Sequence, residues 1–177
     1  MLEARAFVKE IESVRKILIE KQAIFKGEYR CRDIVFYPTD PNKGLEDELL
    51  RLRINEKNIW NEKDVIVAIK KTEKRDIGKN SVILARTEFD HEVDARKYID
   101  KNFSDDFKLD FEFTRTGWQY DLEDNQVDLE RVENIPDCYT IEIKSKTDDE
   151  LKKLVKMFSL PEPIKGPTVV AMKKLMT

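Results

Sequence analysis

Two hydrophobic periods alternate along this chain, one of two residues and one close to 3.6. The opening stretch "LEARAFV" alternates apolar and polar side chains, as a strand with two different faces does. In the next stretch, "KEIESVRKILIEKQ", one side of a helix carries the side chains of Ile11, Val14, Ile17 and Leu18. The chain therefore begins with a strand that is followed by an amphipathic helix.

Strand-like runs make up much of the remaining sequence. They are bounded by segments such as "TDPNKGLED" and "KRDIGKN", because Gly, Pro, Asn and Asp favour turns over strands. We expect two short strands around Gly27 and Glu28, and a break between strands at Thr116 and Gly117. Other strand-like runs are "ELLRLRIN", "VIVAIKKTE", "SVILARTEFD" and "YTIEIK".

Two later segments have helical spacing, "HEVDARKYIDKNF" and "TDDELKKLVKMF". The second begins with Thr147, a favourable N-cap, and carries acidic residues in its first turn and lysines after them. The tail "SLPEPIKGPTVVAMKKLMT" contains prolines and a short apolar piece, which predicts a last helical turn. With no repeat along its 177 residues, the chain predicts one domain, 1–177, on which the tail 160–177 docks.

The stretch "LLRLRIN" places two arginines on one face of a strand, since side chains at alternate positions point the same way. A solvated sheet face would explain any one such strand. However, amphipathic helices are present to cover the apolar faces, and the planar fork of Arg suits bidentate binding of phosphate or carboxylate. The pattern therefore favours antiparallel strands closed into a barrel, with charged side chains inside and helices outside.

The amino-acid composition argues against several classes of binding partner. Charged residues make up 39% of the chain, yet the net charge is only −3 and the signs are mixed, which argues against a nucleic-acid partner. No apolar run is long enough for a membrane helix and no signal peptide is visible. We therefore expect a cytoplasmic protein without a membrane partner. Its abundance of Lys and Glu resembles that of thermophile surfaces.

Cysteine and histidine contribute little candidate chemistry. Cys31 and Cys138 form no CxxC pair, so we expect two buried thiols and no zinc or redox site. The single histidine, His91, is expected at the surface. Trp60 and Trp118 fall at turn-like sites, where Trp118 is expected to pack half-buried. Lysine, arginine and the carboxylates remain as the candidate functional groups.

Taken together, these motifs resemble the CYTH-domain family, the triphosphate tunnel metalloenzymes, which include class IV adenylate cyclases, thiamine triphosphatases and tripolyphosphatases. The resemblance covers nearly the whole chain. It rests on the N-terminal strand and helix, on "RDIVFYP", on the Arg-x-Arg of "LLRLRIN", on the Lys of "VIVAIKK", on the Arg-x-Glu of "LARTEFD", on Arg115 before a Gly, on "VDLERVENIPD" and on "YTIEIK". It implies an α+β fold built on a closed antiparallel eight-stranded β-barrel, or tunnel, with a polar charged lumen and flanking α-helices.

The resemblance also implies roles for individual residues and a Mg²⁺ or Mn²⁺ cofactor. Carboxylates would hold the metal, and basic side chains would hold a triphosphate. The implied phosphate-binding residues are Arg51, Arg53, Lys70, Arg86 and Arg115. The implied metal ligands are Glu3, Glu130 and Glu142, and the implied catalytic positions are Arg5 and Glu88.

Some positions depart from the pattern of the family. Met1 stands where the first N-terminal Glu is expected, and Lys144 stands where a second late carboxylate is common. Arg5 replaces a Lys, and an arginine cannot act as a base because it stays protonated. The phosphate site is therefore predicted to be intact. The metal site is predicted to have fewer carboxylate ligands than in the family and to hold one ion.

Three functions stay open at this point. The first is a metal-dependent enzyme acting on a nucleotide, thiamine triphosphate or tripolyphosphate, either as a triphosphatase or as a class IV-type adenylate cyclase. The second is a non-catalytic nucleotide- or polyphosphate-binding module with a degenerate metal site. The third is a β-rich protein without a lumen ligand. The sequence also leaves open whether the chain forms a homodimer.

Overall fold

The structure, a computed structural model, describes residues 1–45 and 47–176, which contain eight strands and four helices. The strands are β1 Leu2–Val8, β2 Ile24–Pro38, β3 Leu49–Lys57, β4 Val65–Lys74, β5 Lys79–Phe89, β6 Phe107–Leu122, β7 Asn125–Val132 and β8 Tyr139–Ser145. The helices are α1 Glu12–Glu20, α2 Glu92–Phe103, α3 Asp148–Met157 and α4 Thr168–Met176.

All eight strands are antiparallel to their neighbours and form one closed ring in the order β1-β5-β4-β3-β2-β6-β7-β8. Strand β8 pairs with β1 along the full length of both strands, from Leu2–Ser145 to Val8–Tyr139. The contact between β1 and β5 is much shorter and is represented by the pair Glu3–Lys79. The expected α+β fold with eight antiparallel strands is confirmed.

The short β1–β5 contact depends on Gly78, in the turn between β4 and β5. Its φ is +70°, a conformation that glycine adopts without steric cost. A Cβ at this position would lie 2.1 Å from the carbonyl oxygen of Glu3, so no other residue fits without moving β1. This glycine allows the ring to close.

The apolar faces of the strands point away from the ring interior, toward the helices. Strands β1, β6, β7 and β8 pack outward against α1 and α3 through residues such as Ala4, Leu129 and Leu151. Strands β2, β3 and β4 pack against α2 through residues such as Leu52, Val67 and Ile99. With the apolar side chains outside, the ring interior is left to the charged faces.

Two expectations about strand boundaries were wrong. β2 is a single strand that runs through Gly27, where the pairing with β6 shifts at a bulge. β6 continues through Thr116 and Gly117, because Gly117 serves packing and does not form a turn. A Cβ on Gly117 would lie 2.2 Å from Cζ of Tyr29, so the glycine makes room for that ring. Glycine inside a strand often marks such a close approach.

The C-terminal segment lies against the ring and contributes to its interior. The backbone N–H of Ile164 donates to the carbonyl oxygen of Arg5 at 2.7 Å. In α4, Val169 and Met172 pack with Phe113 and Val132 in an apolar cluster. No helix in the described residues is both long enough and apolar enough to cross a membrane.

Candidate functional site

A cavity of about 180 Å³ lies inside the ring and is lined by side chains from all eight strands. Among the described residues that line it, seven are cationic and five are carboxylates. The cationic residues are Arg5, Arg51, Arg53, Lys70, Lys79, Arg115 and Lys144, and the carboxylates are Glu3, Asp33, Asp128, Glu130 and Glu142. The interior therefore carries an excess of positive charge.

Most of these charges belong to one buried chain of ion pairs. Arg5 pairs with both Glu130 and Glu142. Arg115 joins Glu130 Oε1 at 2.6 Å to Asp33 Oδ2 at 2.7 Å. All five residues of this chain are less than 10% exposed, so the ion pairs are shielded from water. Buried charges need such partners because an unpaired charge is costly to bury.

Asp33 is the carboxylate that organises the arginines of β3. It accepts two hydrogen bonds from Arg53, at 2.8 and 3.0 Å, in addition to the one from Arg115. Burial alone would raise the pKa of Asp33, but Arg53, Arg115 and Arg51 together hold that pKa well below its usual value. Asp33 is therefore ionised, and its charge is shared among several cations.

Arg51 and Lys70 are the cavity cations that the described carboxylates neutralise least. Arg51 reaches Asp33 only at 3.6 Å, and its Nε has no hydrogen-bond partner within the described residues. Burial and the nearby Arg53 lower the pKa of Arg51 to about 10. Lys70 makes no ion pair with any described carboxylate, and Arg51 together with burial lowers its pKa well below the usual value. These two side chains supply the unbalanced positive charge.

Glu3 and Lys79 form a separate ion pair where β1 meets β5. Lys79 Nζ lies 3.2 Å from Glu3 Oε1 and donates to Thr168 Oγ1, at the start of α4, at 2.6 Å. Glu3 Oε1 also accepts from Ser81 Oγ at 3.0 Å. Burial is the main cause that lowers the pKa of Lys79 to about 8. This ammonium therefore titrates close to neutral pH.

The titration of Lys79 predicts a measurable pH dependence of stability. Its pKa is about 8 in the folded protein and 10.5 in the reference state, so the unfolded chain binds more protons between these values. The free energy of unfolding should therefore gain a contribution that rises with pH from about 8 to 10.5, by a few kcal/mol at most. The free energy of unfolding, measured by urea titration at several pH values in this window, should rise less steeply with pH for Lys79→Met than for wild type. Equal slopes would contradict the assignment, and the exposed Lys57→Met serves as control.

Two residues expected at the site lie outside the cavity. Arg86 and Glu88 are exposed on the half of β5 that extends beyond its contact with β1, and Arg86 pairs with Glu88 at 2.9 Å. Arg86 also donates to Glu62 in the β3–β4 connection at 2.5 Å. Their strand diverges from β1 after the pair Glu3–Lys79, so these side chains do not join the other charges. The remaining eight candidate residues all line the cavity.

Sequence reasoning missed several residues that line the cavity. Asp33 and Tyr29 stand on β2, where the predicted interruption at Gly27 obscured the alternation that puts both inside. Asp128 alternates with Glu130 along "VDLERV" and could have been found from that spacing. Trp60 lines the cavity from the β3–β4 connection and packs against Tyr29 with tilted rings whose centroids are 4.6 Å apart. Its Nε1 donates to Gln119 at 2.9 Å. Its position could not be deduced from strand periodicity.

Trp118, Cys31, Cys138 and His91 lie where they were expected. Trp118 is half-buried on the outer face of β6, where its Nε1 donates to Glu28 at 3.0 Å. Both cysteines are free and buried, and His91 is exposed at the N-cap of α2.

The carboxylates expected to hold a metal are all engaged with cations. Glu3 pairs with Lys79, Glu130 with Arg5 and Arg115, and Glu142 with Arg5. Within the described residues, no three His, Cys, Asp or Glu side chains form a group that could hold a metal ion. The donor set as folded therefore does not fit Mg²⁺ or Mn²⁺, which need free carboxylate oxygens. Use of either metal stays a prediction.

Comparison with known proteins shows the fold. No family model matches the sequence, and no curated protein matches it. Among solved structures, the PH1819 protein from Pyrococcus horikoshii OT3 is similar, with a TM-score of 0.71 and 20% identity over 98% of each chain. The protein HpAC1 from Hippeastrum, an adenylyl cyclase candidate described as having a dominant triphosphatase activity, has a TM-score of 0.68 and 13% identity over 97% of this chain and 94% of that one. The fold implied by the CYTH resemblance is thus confirmed.

The same fold also occurs in a different setting. A chain in the Schizosaccharomyces pombe Mediator head module matches with a TM-score of 0.58 and 10% identity, over 92% of this chain and 96% of that one. Since one fold can carry unrelated functions, the function must be argued from the cavity itself.

Proposed function

We propose that this protein binds a triphosphate-containing small molecule inside the ring and cleaves it. The observation that carries this proposal is the pair Arg51 and Lys70, two half-buried cations of the cavity wall. Among the described residues, Arg51 has only the shared Asp33 at 3.6 Å as a carboxylate partner, and Lys70 has none. Cations crowded together in a buried space are unfavourable unless an anion joins them. A phosphate chain satisfies both, because its oxygens accept hydrogen bonds and carry negative charge.

The cleavage step would depend on charge stabilisation by the same arginines and lysines. Phosphoryl transfer is promoted mainly by positioning and by neutralising charge on the transferred group. A water molecule needs a base, and Arg5 cannot supply one. Asp128 is the candidate, because it is buried in the cavity wall and its Oδ1 has no partner among the described residues. Burial raises the pKa of Asp128, which makes it a stronger base than an ordinary aspartate.

A second candidate function is binding without turnover. It is favoured by the ion pairs of the cavity carboxylates, because each of the five pairs with a cation through at least one of its oxygens. Such a cavity would hold the phosphate chain without activating water. Cleavage with water as the nucleophile would yield orthophosphate, whereas cleavage with a hydroxyl of the nucleotide itself would yield a cyclic nucleotide and pyrophosphate.

Ligand-induced thermal shift tests the binding proposal directly. We expect tripolyphosphate, ATP or thiamine triphosphate to raise the melting temperature more than pyrophosphate or sulfate does. Because Trp60 lines the cavity, quenching of its fluorescence should follow the same concentration dependence, and Trp118→Phe leaves Trp60 as the reporter. If none of the three triphosphates shifts the melting temperature, the proposal is wrong.

Product analysis separates the two functions. Orthophosphate, pyrophosphate and cyclic nucleotide should be measured with Mg²⁺, with Mn²⁺ and with a chelator. Any turnover that is lost in Asp128→Asn, while ligand binding is kept, supports cleavage with Asp128 as base. Binding without product under all three conditions would establish the binding module instead.

A further inference from the structure

Arg5 lies between two carboxylates that come from different strands. Its Nη1 donates to Oε2 of Glu130 on β7, and its Nη2 donates to Oε2 of Glu142 on β8. Arg5 and Glu142 are direct partners in the β1–β8 register. Thr140 Oγ1 lies 3.3 Å from Arg5 Nη1 and donates to Glu130 Oε2 at 3.1 Å. The Arg5 side chain is only 7% exposed, so this bridge is enclosed.

We infer that the Arg5 guanidinium takes the place of a bridging divalent cation, so that the cavity binds a phosphate chain without a metal ion. This inference rests on the proposed function for its ligand, but not for the state of the two carboxylates. A divalent ion shared by Glu130 and Glu142 would need the oxygens that Arg5 already occupies. Arg5 cannot release them by losing its proton, because a guanidinium stays charged in proteins.

Displacing Arg5 by a metal would also be unfavourable in the surrounding structure. The guanidinium would remain in a buried cavity without a carboxylate partner, beside Arg115 and Lys79. Two positive charges would then compete for one pair of carboxylates, and an uncompensated buried charge is costly. The folded protein therefore favours the internal cation over an ion from solution.

The other cavity carboxylates follow the same arrangement. Glu3 pairs with Lys79 at 3.2 Å, and Asp128 Oδ2 pairs with Lys144 at 3.4 Å. The Nε of Arg5 is buried and has no hydrogen-bond partner among the described residues. Glu3 and Asp128 are thus each neutralised by a cation of the protein itself.

Mn²⁺ binding, followed by electron paramagnetic resonance, tests the inference without any activity assay. Wild-type protein should leave the Mn²⁺ signal of the free ion unchanged. Arg5→Ala removes the cation from one oxygen of Glu130 and one oxygen of Glu142, so this variant should bind Mn²⁺ and should melt at a higher temperature when Mn²⁺ is present. Arg30→Ala, which removes an exposed arginine paired with Glu133, should behave as wild type. Mn²⁺ binding by the wild-type cavity, lost in Glu142→Gln, would overturn the inference.

Ligand binding in a chelator separates this inference from the proposed function. The thermal shift caused by tripolyphosphate should be the same in excess chelator and in Mg²⁺. A shift that requires Mg²⁺ or Mn²⁺ would contradict the inference while supporting the proposed function. No shift under either condition would contradict the proposed function alone, and the Mn²⁺ measurement on wild type would still decide the role of Arg5, even if Arg5→Ala failed to fold.

Discussion

Lys70→Met should weaken tripolyphosphate binding by about 10- to 100-fold, the loss expected for one or two charged hydrogen bonds. Its free energy of unfolding should stay unchanged or rise slightly. The reason is that Lys70 has no carboxylate partner among the described residues and is repelled by Arg51. Removing one of two half-buried like charges relieves that repulsion in the ligand-free protein. Calorimetric titration and urea unfolding measure the two quantities.

Two variants serve as controls for the Lys70 result. Arg86→Met removes a cation from the next strand, but Arg86 is exposed and paired with Glu62 and Glu88, so affinity should change little. Arg53→Met should lower stability as well as affinity, because Arg53 makes two hydrogen bonds to the buried Asp33. If Lys70→Met lost stability like Arg53→Met and bound tripolyphosphate like wild type, Lys70 would be a structural residue.

Glu130→Gln should lower the free energy of unfolding by about 3–5 kcal/mol, the cost of removing one partner from a buried ion pair. Glu130 is 1% exposed and accepts from Arg5, Arg115 and Tyr29. Without the charge of Glu130, the buried guanidinium groups of Arg5 and Arg115 have fewer carboxylate partners. The melting temperature should fall by on the order of 10 °C. Glu133→Gln, at an exposed ion pair with Arg30, should cost less than about 1 kcal/mol.

The Glu130→Gln effect should also depend on pH. Burial would raise the pKa of Glu130, but Arg115 and Arg5 outweigh it and hold that pKa far below the reference value of 4.5. The stabilisation by the ionised carboxylate is therefore complete above about pH 4.5 and is lost as the pH falls below it. The difference between wild type and Glu130→Gln should shrink in acid. A difference that stays constant down to pH 3 would contradict the assigned ion pairs.

Much of the fold could be predicted because it follows from alternation along single strands. The side-chain period of two placed Glu3 with Arg5, and Arg51 with Arg53, on charged strand faces. The helices were predictable from the spacing of their apolar residues and, for the third helix, from Thr147 as its N-cap. The interruption predicted at Gly117 failed for a local reason, since that glycine accommodates the ring of Tyr29. Composition alone does not distinguish a turn glycine from one that permits close packing.

The candidate site was predictable in its residues more than in its pairing. Strand faces indicate which side chains point inward, so eight of the expected residues do line the cavity. Arg86 and Glu88 have the right alternation but lie where β5 has left β1. Divergence between two strands far apart in sequence leaves no signal in either strand.

What the sequence determined by itself is the alternation: apolar side chains on one face of each strand, charged side chains on the other, and amphipathic helices to cover the apolar faces. Only the tertiary structure decided which charges meet. Arg5 and Glu130 are 125 positions apart, and their contact requires ring closure in one register. Ion pairing acts over a few ångströms, so the neutralised carboxylates become visible only when the strands are assembled. The same holds for Lys70, which has no carboxylate partner within residues 1–45 and 47–176.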